Sequence, residues 1–253
     1  KYVKEIIAQV QRLMQRGYAY ETADGVYFDI SRFPRYGQLS RVNVKENAVS
    51  RVDVSETKRH SEDFCVWKKY KPGDPWWNSP LGKGRPGWHI EDTAITEHFF
   101  GPQYDLHGGG QDLIFPHHEA EITQQESASG LKPFVKYWMH AGFLINKDRK
   151  ISKSLGNFST VHELLEKYSK EVLRFYLLSG HYRSPLDYND QILMQSEAAI
   201  CRISEFINRL RNIKADGDDL FTDKISSLLM ALTRALDDDF NTPLAIGTLF
   251  TFI

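Results

Sequence analysis

Tyr104-Asp105-Leu106-His107-Gly108-Gly109-Gly110, running on through Gln111-Asp112-Leu113-Ile114-Phe115-Pro116-His117-His118-Glu119-Ala120-Glu121, decides how the chain is read. Tyr104 to His107 has the texture of a short strand. The glycines then predict a loop. Pro116 opens a helix towards Gly130, since proline suits the first helical position. Trp138 to Ile145 reads as a further, buried strand. Strand, glycine loop, helix and strand make the rhythm of a parallel α/β sheet. In such sheets ligands bind at the carboxyl ends of strands, where this loop would lie.

Working outward, Val3, Ile6, Ile7, Val10, Leu13 and Met14 recur at helical spacing, with Gly17 as the cap. Ala19-Tyr20 and Val26 to Ile30 flank Asp24-Gly25, which predicts a short hairpin. Residues 33–84, rich in Pro, Gly, Ser and charge, read as a loop-rich insertion. Beyond Ser154 the chain turns helical: Val161 to Tyr168, Glu171 to Ser179, a long helix through Ile192 to Ile213, and Ile225 to Leu236 after a polar break at Asp216 to Asp219. The 253 residues carry 41% hydrophobic and 26% charged residues and a formal net charge of −1. That is an ordinary globular composition, which leaves a nucleic-acid partner to local basic patches. Two distant cysteines, Cys65 and Cys201, suggest a reducing, cytoplasmic setting rather than a disulfide framework. No apolar run approaches the ~20 residues that span a bilayer, so no membrane is expected.

Three constellations carry chemistry. His117 and Glu121 are four apart in the expected helix and share one face, with Asp92 a further candidate ligand. The positive end of that helix would keep His117 neutral and able to bind metal, and such nitrogen and oxygen donors suit zinc. Taken alone, the pair would also suit ordinary surface polar residues. The glycine loop lets backbone N–H groups at Gly109 approach a nucleotide, and Asp112 could accept from ribose hydroxyls. A plain tight turn fits it equally well. Lys150, Ser152, Lys153 and Ser154, followed by Gly156, suit a phosphate-binding loop or a solvated basic loop. Six of the nine histidines fall between His89 and His140, which points to one site.

Together these strings resemble one family. Lys150-Ile151-Ser152-Lys153-Ser154 resembles the Lys-Met-Ser-Lys-Ser loop of class I aminoacyl-tRNA synthetases. Gly84-Arg85-Pro86-Gly87-Trp88-His89-Ile90-Glu91, His107 to Gly110 with Phe115 to Glu121, and His181-Tyr182-Arg183-Ser184-Pro185-Leu186 are similar to the cysteine-specific branch, the cysteinyl-tRNA synthetases. Asp237-Asp238-Asp239-Phe240-Asn241-Thr242-Pro243 resembles the start of that family's helical tRNA-binding region. The resemblance implies a Rossmann-like catalytic half, ATP with Mg2+ as substrate, a Zn2+ at the bottom of the amino-acid pocket that binds the substrate thiolate, and L-cysteine and tRNA(Cys) as partners. It assigns metal to His117, Glu121 and Asp92, the last standing where the family usually has a cysteine. Trp88 and His107, and with them His89, would line the cysteine pocket. Gly109 and Asp112 would hold the nucleotide. Lys150 and Lys153, with Ser152 and Ser154, would hold the phosphates.

The expected division is residues 1–84 as an inserted connective module, 85–147 as the second catalytic half, 148–190 as the phosphate-loop and stem-contact region, and 191–253 as the start of the helical bundle. Lys1 falls inside a helical pattern. The resemblance therefore implies that the family's first cysteine ligand and His-Ile-Gly-His motif lie upstream, and that the segment alone is inactive. Two other readings remain open at this point: a ligase joining cysteine to an amino sugar in mycothiol synthesis, and a non-catalytic tRNA-binding paralogue.

Overall fold

The computed structural model describes residues 1–42, 57–146, 149–150, 159–214 and 219–253. Two compact units divide the chain, Lys1–Met139 and His140–Ile253.

The first unit contains α1 (Val3–Gln15), β1 (Ala19–Glu21), β2 (Gly25–Phe28), β3 (Phe64–Lys69), β4 (Gly84–Pro86), α2 (Ile90–Phe100), β5 (Tyr104–Gly110), α3 (Glu119–Ser129) and most of β6 (Val135–Ala141). Ile6, Val10 and Leu13 form the stripe that α1 buries against α2 and α3. Burying each such side chain contributes about 1.5–3 kcal/mol. The expected hairpin is present: β1 and β2 pair antiparallel, Ala19 opposite Phe28. The sheet continues antiparallel through β3 and β4. Strand β3 differs from the loop-rich reading of 33–84, and β4 begins at its end. The signal for β3 is Phe64-Cys65-Val66-Trp67, an unbroken apolar run that is buried at every position.

The glycine stretch also differs from expectation. Gly108 to Gly110 complete β5 rather than forming a loop. Tyr104 N donates to Phe134 O, and Gly108 lies against Met139 O, so β5 and β6 run the same way. The predicted strand from Trp138 to Ile145 is two strands, β6 and then β7 (Leu144–Asn146), parted at Gly142 and Phe143. Gly142 cannot carry a side chain, because a Cβ there would lie 2.3 Å from Ser184 O.

Helix α3 is polar yet buried along nearly its whole length. Hydrogen bonds make this possible. Gln9 Nε2 donates to Gln125 Oε1 at 2.6 Å, and Thr93 Oγ1 donates to Gln9 Oε1 at 2.6 Å, tying three helices together.

The second unit contains β7, β8 (Arg149–Lys150), α4 (Val161–Leu165), α5 (Lys170–Ser179), β9 (Leu186–Asp187), α6 (Asp190–Arg211), α7 (Asp219–Asp237) and α8 (Thr242–Phe252). β7 pairs antiparallel with β8 and parallel with β9. Leu173, Tyr176 and Leu193 form its core. Arg183 and Tyr182 both donate to Asp239, which joins the α5–α6 connection to the α7–α8 corner.

Gly87 sets the path into the site. Its N–H donates to Val66 O at 3.0 Å, and a Cβ would lie 1.8 Å from Cys65 O. Gly87→Ala should therefore cost about 2–3 kcal/mol in chemical denaturation. An unchanged midpoint would mean the strand edge yields freely.

Candidate active site

Gly87 delivers Trp88 and His89 to the start of α2, with His89 as its N-cap residue and Asp92 in its first turn. A carboxylate is favoured there by the helix N-terminus. His117 lies in the turn Ile114–His118 before α3, and Glu121 lies in the first turn of α3. His107 projects from β5.

His117 is the hub. Its Nε2 lies 2.9 Å from Asp92 Oδ2 and 3.6 Å from Glu121 Oε1. Its Nδ1 lies 2.7 Å from His89 Nδ1. Glu121 faces two further rings, with Oε2 3.6 Å from His107 Nε2 and 4.0 Å from His118 Nε2. Asp92, His117 and Glu121 each offer a donor atom within 4.8 Å of the others, as do His107, His118 and Glu121.

The electrostatics of α3 single out Glu121. Glu119 accepts N–H groups from Gly37 at 3.0 Å and Ser40 at 2.7 Å. Glu126 accepts from Phe134 N at 3.1 Å and pairs with Arg35. Glu121 is 1% exposed, and among the described residues neither carboxylate oxygen has a hydrogen-bond donor. A buried carboxylate in that state must take a proton or meet a cation. Burial pushes it up to about 8, helped by the Asp92 and Glu91 carboxylates and opposed by His117. Glu91 is pushed up to about 7, again chiefly by burial. Burial pulls His117 down, but the Asp92 hydrogen bond and the surrounding carboxylates outweigh it and hold His117 above its usual range. The expectation of a neutral His117 considered only the helix end and left out these carboxylates, which act in the opposite direction.

The donor set fits a divalent cation. One imidazole and two carboxylates supply nitrogen and oxygen, which zinc accepts. The unsatisfied Glu121 carboxylate supplies the need for positive charge.

Trp88, 54% exposed, stacks on His89 at 5.6 Å and 10° and lies 6.2 Å from the His117 ring. It gives the Asp92, His117 and Glu121 cluster an apolar wall. His107 Nδ1 lies 2.5 Å from the Tyr104 hydroxyl, and its ring is 4.8 Å from both His118 and Trp138. At Gly109 a Cβ would lie 2.7 Å from His118 Cε1, so this glycine admits His118 beside β5. Asp112 is exposed on the short turn Gln111–Leu113 that follows β5. The backbone of Lys150 belongs to β8 in the second unit. Ser152, Lys153 and Ser154 lie outside the described residues.

Sequence reasoning missed the roles of His118 and Tyr104 and the bond between His89 and His117. The crowding of histidines between 89 and 140 was the available signal. Two of those histidines do not join the group. His98 lies 3.8 Å from Glu5 Oε1, and His140 belongs to the second unit, where burial and Arg183 hold it below its usual range.

In the metal-free protein Glu121 and His117 both hold a proton more tightly when folded than when unfolded, so stability falls as pH rises. For Glu121 the loss runs from the ordinary value of 4.5 to about 8. In chelator near pH ~8, Glu121→Gln should raise the unfolding free energy by about 1–3 kcal/mol, and the gain should vanish near pH ~4. Equal stability of the two proteins across that range would show that the carboxylate has a partner.

The family model for the class I (C) tRNA synthetase catalytic domain matches residues 1–198, and a DALR domain model matches residues 231–253. A Cysteine--tRNA ligase of Trichlorobacter lovleyi is 49% identical over 263 residues, covering 100% of this chain and 54% of the relative. One from Thermoplasma acidophilum is 49% identical over 243 residues, covering 95% and 54%. The chain thus spans about half the length of the curated relatives it matches. The crystal structure of the ternary complex of Agrobacterium radiobacter K84 agnB2 LeuRS, tRNA and LeuAMS shares the fold. Its TM-score is 0.51 at 15% identity, over 70% of this chain and 28% of that one. With the catalytic-domain match running through both units, the chain belongs to the class I (C) tRNA synthetase family.

Proposed function

We propose that the protein is a cysteine–tRNA ligase that activates cysteine with ATP and transfers it to tRNA(Cys). The observation that carries this reading is the convergence of Asp92, His117 and Glu121 beside the exposed face of Trp88. The relatives, themselves cysteine–tRNA ligases by name, support it. In the first step the cysteine carboxylate attacks the α-phosphate of ATP, giving cysteinyl-adenylate and pyrophosphate. In the second, a terminal ribose hydroxyl of the tRNA takes the cysteinyl group and AMP leaves. Neither step needs a covalent enzyme intermediate, so the protein's part is positioning and charge stabilisation.

Asp92, His117 and Glu121 would hold Zn2+, which when bound supplies a thiolate-binding Lewis acid that a serine hydroxyl satisfies poorly. Trp88 and His107 line the side-chain pocket. Gly109 and Asp112 serve the nucleotide. Lys150 and Lys153, with Ser152 and Ser154, neutralise the triphosphate and its Mg2+ as pyrophosphate departs. The four-part division at 84, 147 and 190 belongs to this proposal, as does a cytoplasmic location. Among the described residues no helix is long and apolar enough to cross a membrane. The helices α6 to α8 favour tRNA over an amino sugar as the acceptor.

The test is charging of tRNA with labelled cysteine by the full-length protein, with ATP. Cysteine-specific charging, with serine rejected, is expected. Lys153→Ala should lower cysteine-dependent pyrophosphate exchange by roughly 10²–10³-fold. Transfer to an amino sugar instead of tRNA, or no cysteine activation by folded protein, would overturn the reading.

A further inference from the structure

We propose that His89 is a positioning residue for the metal site: its Nδ1 accepts the Nδ1–H of His117 and thereby aims His117 Nε2 at Asp92 and Glu121. The inference rests on the metal reading above and extends it to a residue that holds no metal itself.

The geometry is specific. The two Nδ1 atoms are 2.7 Å apart, a hydrogen-bond distance that requires a proton on one of them. Both rings are buried, so no bulk solvent competes for that contact. A ligating imidazole needs its other nitrogen held by an acceptor, because that bond fixes both ring orientation and tautomer. For His117 the only ring nitrogen left to play this part is Nδ1, since Nε2 is the atom that faces the carboxylates. With the proton on His117 Nδ1, Nε2 is left to bind the cation.

His89 is itself held on two sides. Trp88 stacks on one face at 5.6 Å, and Phe64 meets it edge-on at 5.8 Å and 85°. Phe64 belongs to the β3 core, where it stacks on Phe28 at 5.2 Å. His89 also occupies the N-cap position of α2, three residues before Asp92. One residue therefore couples the sheet core to both the helix that presents Asp92 and the ring that presents Nε2.

Two variants of the full-length protein separate positioning from packing. His89→Phe keeps a ring between Trp88 and Phe64 but has no acceptor. His89→Asn loses the ring but keeps an acceptor oxygen near the Nδ1 position. The readouts are zinc affinity, by competition with a chromophoric chelator, and the unfolding midpoint in excess chelator. His89→Phe should bind zinc about 10–100-fold more weakly while remaining folded in excess chelator, its midpoint lowered modestly by the lost buried hydrogen bond, and His89→Asn should recover most of the affinity. Long-range proton–nitrogen spectra of the zinc-loaded wild type give a reading that does not depend on how the variants fold. They should show His117 protonated at Nδ1 and His89 bare at Nδ1. Wild-type affinity in His89→Phe, or a bare Nδ1 on His117, would overturn the proposal while leaving the metal site intact. Failure of the wild type to bind zinc would overturn the metal reading and this inference with it.

Discussion

A carboxylate buried without a hydrogen bond is the constraint around which the first unit is arranged. Glu121 sits on a helix whose other buried acids are satisfied: Glu119 by two backbone N–H groups, Glu126 by a backbone N–H group and Arg35. Among the described residues nothing comparable reaches Glu121. Polar side chains from α1 and α2 complete the burial of α3, through the Gln9, Thr93 and Gln125 bonds. The fold thus goes to some length to bury this helix while leaving one acid unsatisfied. Such an arrangement is costly for stability alone and makes sense where a cation is to be held.

The site is assembled from short segments whose placement depends on tight backbone contacts. Gly87 pins the chain to β3 so that Trp88, His89 and Asp92 arrive together at the start of α2. Gly109 lets His118 lie against β5, which brings His107 and His118 to the far oxygen of Glu121. The ligand group therefore has an apolar wall on one side and a second layer of imidazoles on the other. Asp92 gives the described part of the group a donor set of nitrogen and oxygen only. That set tolerates zinc and also harder divalent ions, in contrast to a thiolate at the same place.

Much of this was legible in the sequence, and for identifiable reasons. Long helices with a regular apolar stripe, α1 and α6, declared themselves by period, and Asp24-Gly25 marked the hairpin. The four-residue spacing of His117 and Glu121 placed both on one face. What escaped depended on distant partners. β3 lies in a stretch whose overall composition reads as loop, which hid its short apolar run, and its place in the sheet is set by antiparallel pairing with β2 and β4. The glycines of β5 look like a turn until the ring of His118 fills the space they leave. The place of Asp92 came from family resemblance alone, since nothing in its local pattern sets it beside a histidine 25 positions away. The bond between His89 and His117 has no sequence signature, because it spans 28 residues and depends on the sheet core beneath it.

The most direct measurement is an isothermal titration of zinc into the metal-free full-length protein, run beside His117→Ala and Glu121→Gln. One tight site per chain in the wild type, lost in both variants, is the expected result. Equal binding by all three proteins, or none by the wild type, would contradict the assignment of this buried group as a metal site.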